Sequence, residues 1–207
     1  MTSLAFEFSS DRRTVAIARN GRILSHTTLE RVRETPLHSL VAQVLTDAKV
    51  QSQDIDLLMV GLGPGSYTGV RLAISFAQGW HLGMGTPVVG ISSLDALAAA
   101  AQDLAGVTLL AVDAQRGEYA VARAEGGRLT EPPRLCSFDD IKTQIGLGLR
   151  VAGPDLGPSV PGAIALHPEA TWLSLQSDQH MPTPPEHLAP VYLREASFVK
   201  APTPRSS

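Results

Sequence analysis

The chain has one cysteine, Cys136, in 207 residues. A single thiol cannot build an internal disulfide framework or a cysteine zinc site, and its scarcity fits a reducing compartment. No neighbouring group marks Cys136 as a nucleophile, so it reads as a small apolar filler. The opening stretch, MTSLAFEFSSDRR, lacks a basic segment followed by an apolar one, so no secretory leader is expected. No apolar run reaches the roughly 20 residues that cross a bilayer. The formal net charge is only −3 and the pI about 6.0, so no general affinity for nucleic acid follows. Together these absences lead us to expect a cytoplasmic protein with no membrane association. The histidines (His26, His38, His81, His167, His180, His187) include no pair four residues apart, and no H-E-x-x-H occurs. No metal, cofactor or catalytic residue is therefore expected. Asp139-Asp140 and Glu186-His187, the nearest approaches to acid/base pairs, lie in polar or proline-rich surroundings and read as solvated faces.

What the sequence does have is concentrated in residues 61–79, GLGPGSYTGVRLAISFAQG. An apolar run from Ile55 to Val60 stops at Gly61, a glycine-rich turn follows from Gly63 to Gly69, and helical patterning starts at Val70. A strand–turn–helix junction aims backbone N–H groups and the positive end of a helix dipole at whatever lies before it. Such a turn serves an anion, the close approach of another backbone, or a corner where glycine supplies positive φ. Three familiar enzyme motifs do not fit. A P-loop needs Lys-Ser/Thr after its last glycine, and Val70-Arg71 follows Gly69; a nucleophile elbow needs serine where Tyr67 stands; a dinucleotide fingerprint needs glycine where Ser66 stands. Gly63, Pro64, Gly65, Ser66, Thr68 and Gly69 are accordingly read as a structural turn.

On a helical wheel, Val70, Leu72, Ala73, Ile74, Phe76, Ala77 and Trp80 cover more than half of the circumference, leaving a narrow polar strip of Arg71, Ser75 and Gln78. Such a helix is either wholly inside its own domain or shared with a partner. Ser75, Gly79 and Gly83 recur every fourth residue, a spacing of small side chains that admits another helix closely. The preceding helix is more regular. Thr35 is a candidate N-cap and Pro36 a favourable first residue. Leu37, Leu40, Val41, Val44, Leu45 and Ala48 then form one amphipathic face, flanked by His38, Ala42 and Thr46.

Elsewhere, strands are expected near Ser3–Phe8, Thr14–Ala18 and Arg22–Leu29, the last two joined by an Asn20-Gly21 hairpin signal. The helix from Pro36, the strand Ile55–Val60, the helix from Val70, a strand at Pro87–Ile91 and a helix from Ser93 follow. The second half begins again with strands at Val107–Val112, Glu118–Ala124 and Arg128–Thr130, a short helix Phe138–Ile145 capped by Ser137, and a strand at Leu149–Ala152. Three strands, a helix and a strand thus recur in order. Two such halves suggest an α/β chain with the duplicated ribonuclease H-like architecture of actin, hexokinase and Hsp70-type folds. The expected domains are a first lobe (1–105), a smaller, truncated second lobe (106–195) and a disordered tail (196–207). From Gly157 the prolines are dense, which argues for loops and short pieces. In active members of that architecture, the first hairpin of each half holds nucleotide phosphates. The matching segments here are 7–11 and 113–117; the first has no glycine and carries the bulky Phe8. Close approach of backbone amides to phosphate is hindered there.

Gly63-Pro64-Gly65-Ser66-Tyr67-Thr68-Gly69-Val70-Arg71 resembles the GPGSFTGLR signature of the TsaB, or YeaZ, family. His38-Ser39, Pro87 to Leu94, Asp113 to Glu118 and Tyr192-Leu193-Arg194 agree with it. The likeness is good over residues 1–125 and thin afterwards. Phe6-Glu7-Phe8-Ser9 departs from the family's usual Ile-Asp-Thr-Ser. The resemblance implies a non-catalytic subunit of the bacterial system that makes threonylcarbamoyladenosine in tRNAs reading ANN codons, similar also to the so-called glycoprotease proteins. It implies a heterodimer with the catalytic homologue TsaD through helices of the first lobe, with the ATPase TsaE joining the pair and the synthase TsaC supplying threonylcarbamoyl-adenylate. It allows a homodimer when the chain is alone, and contact with tRNA only through the complex. The partner face is expected to include His38, Ala42, Leu45, Arg71, Ser75 and Gln78. The competing expectation is an ATP-dependent phosphotransferase or peptidase of the same fold. Direct tRNA binding by Arg194, Lys200 and Arg205 is a weaker alternative.

Overall fold

The computed structural model describes residues 1–30 and 36–193. Thr35, Arg194, Lys200, Arg205 and the expected tail 196–207 lie outside the described residues. The first lobe contains β1 (Thr2–Glu7), β2 (Arg12–Arg19), β3 (Arg22–Glu30), α1 (Leu37–Ala48), β4 (Leu57–Gly61), α2 (Tyr67–Met84), β5 (Val88–Ile91) and α3 (Ser93–Ala100). Its strands are ordered β3-β2-β1-β4-β5, antiparallel across the two hairpins and parallel from β1 through β5. The second lobe contains β6 (Thr108–Asp113), β7 (Glu118–Glu125), β8 (Arg128–Leu129), β9 (Arg134–Ser137), α4 (Phe138–Gly146), β10 (Arg150–Gly153) and β11 (Ile164–Ala165). Its order, β11-β10-β6-β7-β8 with β9 also on β7, repeats the first. Two hairpin-led sheets with parallel strands added beyond the first strand make this a duplicated ribonuclease H-like fold.

The strands β1 and β4 are buried on both faces, which is why they read as near-continuous apolar runs. Leu4, Phe6, Val15, Ile17, Leu58 and Val60 face α1 and α2. The alternate residues Ala5, Ala16, Leu57 and Met59 face the other way, where α5 (Ala170–Ser174) packs. Ala5 and Ala16 are register partners, and their small side chains leave room for α5. The polar residues of these strands hold that helix at both ends: Ala170 N–H donates to Thr14 Oγ1 at 2.8 Å, and Ser3 Oγ donates to the Ser174 carbonyl at 2.6 Å. Sequence patterning did not reveal α5, because its proline-dense surroundings mask five residues whose helicity comes from docking. Thr14→Val should cost about 1–3 kcal/mol in urea denaturation, since it leaves a buried amide without its acceptor while keeping the side-chain volume.

The helix α3 lies between the lobes. Ala96 packs with the first sheet, and Leu94, Leu97, Ala98 and Ala101 pack with the second, so the alanine-rich composition reflects contact on opposite sides. The first hairpin loop is pinned to the second lobe by Asp11 N–H to Asp155 Oδ2 (3.0 Å), and Arg12 beside it pairs with Glu169 at the start of α5 (3.2 Å). Boundaries differ from the sequence expectations by a residue or two, except at α2, which begins at Tyr67 with Ser66 as N-cap rather than at Val70. At α1, Pro36 occupies the N-cap position and Leu37 is the first helical residue.

Candidate functional site

The glycine turn is built against the first hairpin, not around an anion. Gly63 and Gly65 have φ of +81° and +145°, the range in which side chains are strained. A Cβ on Gly65 would run into the Ser9 carbonyl oxygen, and one on Gly69 into that of Phe8. Three of the turn's amides are engaged internally: Gly63 N–H with Ser93 Oγ (3.0 Å), Ser66 N–H with the Ser9 carbonyl (2.7 Å), and Gly69 N–H with Ser66 Oγ (3.3 Å). Of the uses left open by the sequence, close backbone approach and positive φ account for the glycines. Thr68 is exposed and lines the cleft between the lobes.

Beneath the turn, the carboxylate of Glu7 is completely buried. Oε1 accepts from Ser9 N–H and Oε2 from Ser93 Oγ, both at 2.7 Å. Burial pushes its pKa up, against the opposing pull of the bonds from Ser9 and Ser93. The folded chain therefore holds this proton more tightly than the unfolded chain, whose carboxyl titrates near 4.5. The stabilising effect of the bound proton is complete below that value and is lost as pH rises through the elevated folded pKa. Glu7→Gln, neutral throughout, should remove that slope, which is at most about 1.4 kcal/mol per pH unit. Urea denaturation between pH 4 and 8 should show the variant gaining on the parent chain as pH rises.

The cleft between the lobes, about 420 Å³, is lined by Ser9, Asp11, Thr68, Asp113, Gln115 and Asp155 among others. Among the described residues three carboxylates, and no lysine or arginine, face it. Glu7 points away from it, into the interior. Among the described residues, no group of three or more His, Cys, Asp or Glu side chains is placed to hold a metal ion. The acidic pair Asp139-Asp140 has a structural use: Asp140 and Ser137 form a reciprocal capping box at α4, and the bonds from Ser137 lower the Asp140 pKa. Glu186 and His187 are exposed in a single helical turn. Among the described residues no helix is long and apolar enough to cross a membrane.

A larger concavity lies elsewhere, in a groove of about 890 Å³ between α1 and α2. Its floor is apolar: Val41 and Leu45 from α1, Leu72, Phe76 and Trp80 from α2. The wide apolar face of α2 is only partly covered. Val70, Ala73, Ile74 and Ala77 are buried, Leu72, Phe76 and Trp80 are half-buried, and Leu82 is 88% exposed. Phe76 links groove and core, with ring centroids 5.3 Å from Phe6 and 5.4 Å from His38. The structure brings His38, Ala42, Leu45 and Ser75 together along this groove. It does not bring Arg71 or Gln78 there. Arg71 donates to the Tyr67 hydroxyl at 2.8 Å, and Gln78 Nε2 donates to the Pro185 carbonyl at 2.8 Å. Trp80 and Gly79, which the wide apolar face and the four-residue spacing of small residues singled out but which were not among the expected partner residues, also line the groove.

The fold and these two concavities define a class: a two-lobed ribonuclease H-like protein whose cleft is acidic and whose main apolar recess is on the outside of the first lobe. Residues 30–142, more than half of the chain, match the family described as TsaD: tRNA N6-adenosine threonylcarbamoyltransferase. The chain is 36% identical over 121 residues to the tRNA threonylcarbamoyladenosine biosynthesis protein TsaB of Escherichia coli, a match covering 57% of this chain and 52% of that protein. It is 33% identical over 164 residues to an uncharacterized protein of Mycobacterium tuberculosis (74% and 71% covered). Among solved structures, YeaZ from Pseudomonas aeruginosa superposes with a TM-score of 0.75 at 26% identity, covering 93% of this chain and 99% of that one. The chain belongs to the TsaB (YeaZ) family, and it matches about half the length of the Escherichia coli relative.

Proposed function

We propose that this protein is a non-catalytic subunit of tRNA threonylcarbamoyladenosine synthesis that pairs with, and activates, a TsaD-type transferase. The observation that carries the reading is the apolar groove between α1 and α2, where Leu72, Phe76 and Trp80 remain only half-covered by their own lobe. An apolar recess of this kind, rimmed by the small residues Ala42, Ser75 and Gly79, suits a partner helix. Such a pairing buries about 1,200–2,000 Å² in total. In this proposal the first lobe (1–105) presents the partner face and the smaller second lobe (106–195) completes the body. An ATPase of the TsaE type joins the pair, and tRNA is engaged in the assembled complex. Without its partner, the chain self-pairs through the same groove. A phosphotransferase would need to hold phosphates in the cleft, where Asp11, Asp113 and Asp155 create an unfavourable field.

The test is size-exclusion chromatography of the purified chain mixed with the TsaD homologue from the same organism. Co-elution at micromolar concentration is the expected result, together with threonylcarbamoyl transfer by the pair that exceeds transfer by the homologue alone. Separate elution with no self-association, or phosphate release from Mg-ATP by this chain alone that disappears in Asp113→Ala, would overturn the reading.

A further inference from the structure

A second exposed cluster takes no part in the groove. Tyr67, at the start of α2, and Tyr192, on the returning C-terminal segment, are each 58% exposed, with ring centroids 6.3 Å apart. Tyr67 also carries the Arg71 guanidinium 5.2 Å from its ring centroid. Beside the two rings opens a cavity of about 430 Å³, in the size range of small-molecule sites. Pro64, Leu135 and Val191 give it apolar walls, and the second lobe's hairpin loop forms its far side with Arg116. That loop holds Gln115 and Arg116 in the left-handed region, at φ of +65° and +60°. Among the described residues no acidic side chain lines this cavity, in contrast to the interlobe cleft on the other side of the turn.

Two tyrosine faces beside an apolar slot accept a flat ring, because π-faces stack without regard to the ring's edge pattern. Exposed guanidinium groups beside such a slot accept an anion. A flat ring and an anion joined at short range describe one ligand class. We propose that this cavity binds a nucleotide unit, its base against Tyr67 and Tyr192 and its phosphate toward Arg71 and Arg116. Two sources carry that chemistry, a free nucleotide and an unpaired residue of an RNA strand. The inference does not depend on pairing with a TsaD homologue.

The test is calorimetric titration of the full chain with AMP, ribose 5-phosphate and a single-stranded hexanucleotide RNA. AMP should bind at least tenfold more tightly than ribose 5-phosphate, which has the charge and no base. Tyr192→Ala should weaken AMP at least tenfold, whereas Tyr192→Phe, which keeps the ring, should bind within threefold of the parent. An RNA affinity at least tenfold above that of AMP assigns the site to RNA; a smaller difference assigns it to free nucleotide. The comparison of AMP with ribose 5-phosphate needs no variant and so stands even if Tyr192→Ala unfolds. Equal binding of AMP and ribose 5-phosphate would overturn the proposal. So would an unchanged affinity in a folded Tyr192→Ala, an equal loss in Tyr192→Phe, or no binding by AMP or RNA at millimolar concentration.

Discussion

Gly69→Ala should destabilise this protein by about 1–3 kcal/mol, whereas Gly79→Ala, in the same helix, should stabilise it by about 0.5–1 kcal/mol. Alanine is the better helix former at both positions, so propensity alone forecasts a gain twice. The surroundings decide the sign. At Gly79 an added Cβ meets nothing within 4 Å. At Gly69 it meets the carbonyl oxygen of Phe8, a backbone atom at the end of a buried strand that cannot swing aside like a side chain. Gly65→Ala should be worse, about 3 kcal/mol or more, because it adds a collision with the Ser9 carbonyl to a φ of +145° that alanine resists. Losses of that size are a large share of a total stability of about 5–15 kcal/mol. Urea denaturation of the three variants measures all of this. A Gly69→Ala protein as stable as its parent would mean that the turn is not seated on the first hairpin, and that its glycines answer to something else. The seating also fixes the first turn of α2, and through it the groove that α2 shares with α1.

The two sheets were legible in the sequence because both halves repeat hairpin, helix and strand, and because the apolar runs Ile55–Val60 and Val107–Val112 need burial on both faces. The excess apolar width of α2 was legible too, since Leu72, Phe76 and Trp80 lie on a flank that its own packing residues Val70, Ala73 and Ala77 leave uncovered. The use of the glycines was not legible. Backbone approach between residues 8–9 and 65–69 is a long-range contact, and an anion turn and a packing turn look alike in one dimension. The same limit hid Glu7: it opens the segment that matches a phosphate hairpin, yet Ser93, 86 positions later, draws its carboxylate inward. It also separated Arg71 and Gln78 from His38, Ala42, Leu45 and Ser75. The wheel places Arg71, Ser75 and Gln78 on one strip, but Tyr67 takes Arg71, and the Pro185 carbonyl on the returning chain takes Gln78. Polar residues on a strip are sorted by partners that a helical wheel does not contain.

Ser75→Trp should weaken pairing with the TsaD homologue at least a hundredfold, about 3 kcal/mol, while leaving the fold intact. Ser75 is exposed on the groove side of α2, beside the floor formed by Leu72 and Phe76, so an indole there occupies the recess without entering the core. Changes at exposed positions ordinarily alter stability by no more than about 0.5 kcal/mol. A steric effect predicts a graded series: Ser75→Ala pairs like the parent, Ser75→Leu pairs weakly, and Ser75→Trp fails to pair. Phe76→Ala is a poorer probe, because the Phe76 ring also touches Phe6 and its removal loosens the core that supports both helices. Gly79→Ala supplies an independent check from the opposite direction. It should raise the stability of the isolated chain yet weaken pairing, because the added methyl group enters the groove only when a second helix needs the space. Sedimentation of each variant with the homologue, and of each alone, separates loss of pairing from loss of fold. A folded Ser75→Trp protein that still assembles would place the partner on another surface and leave the α1–α2 groove without its proposed use.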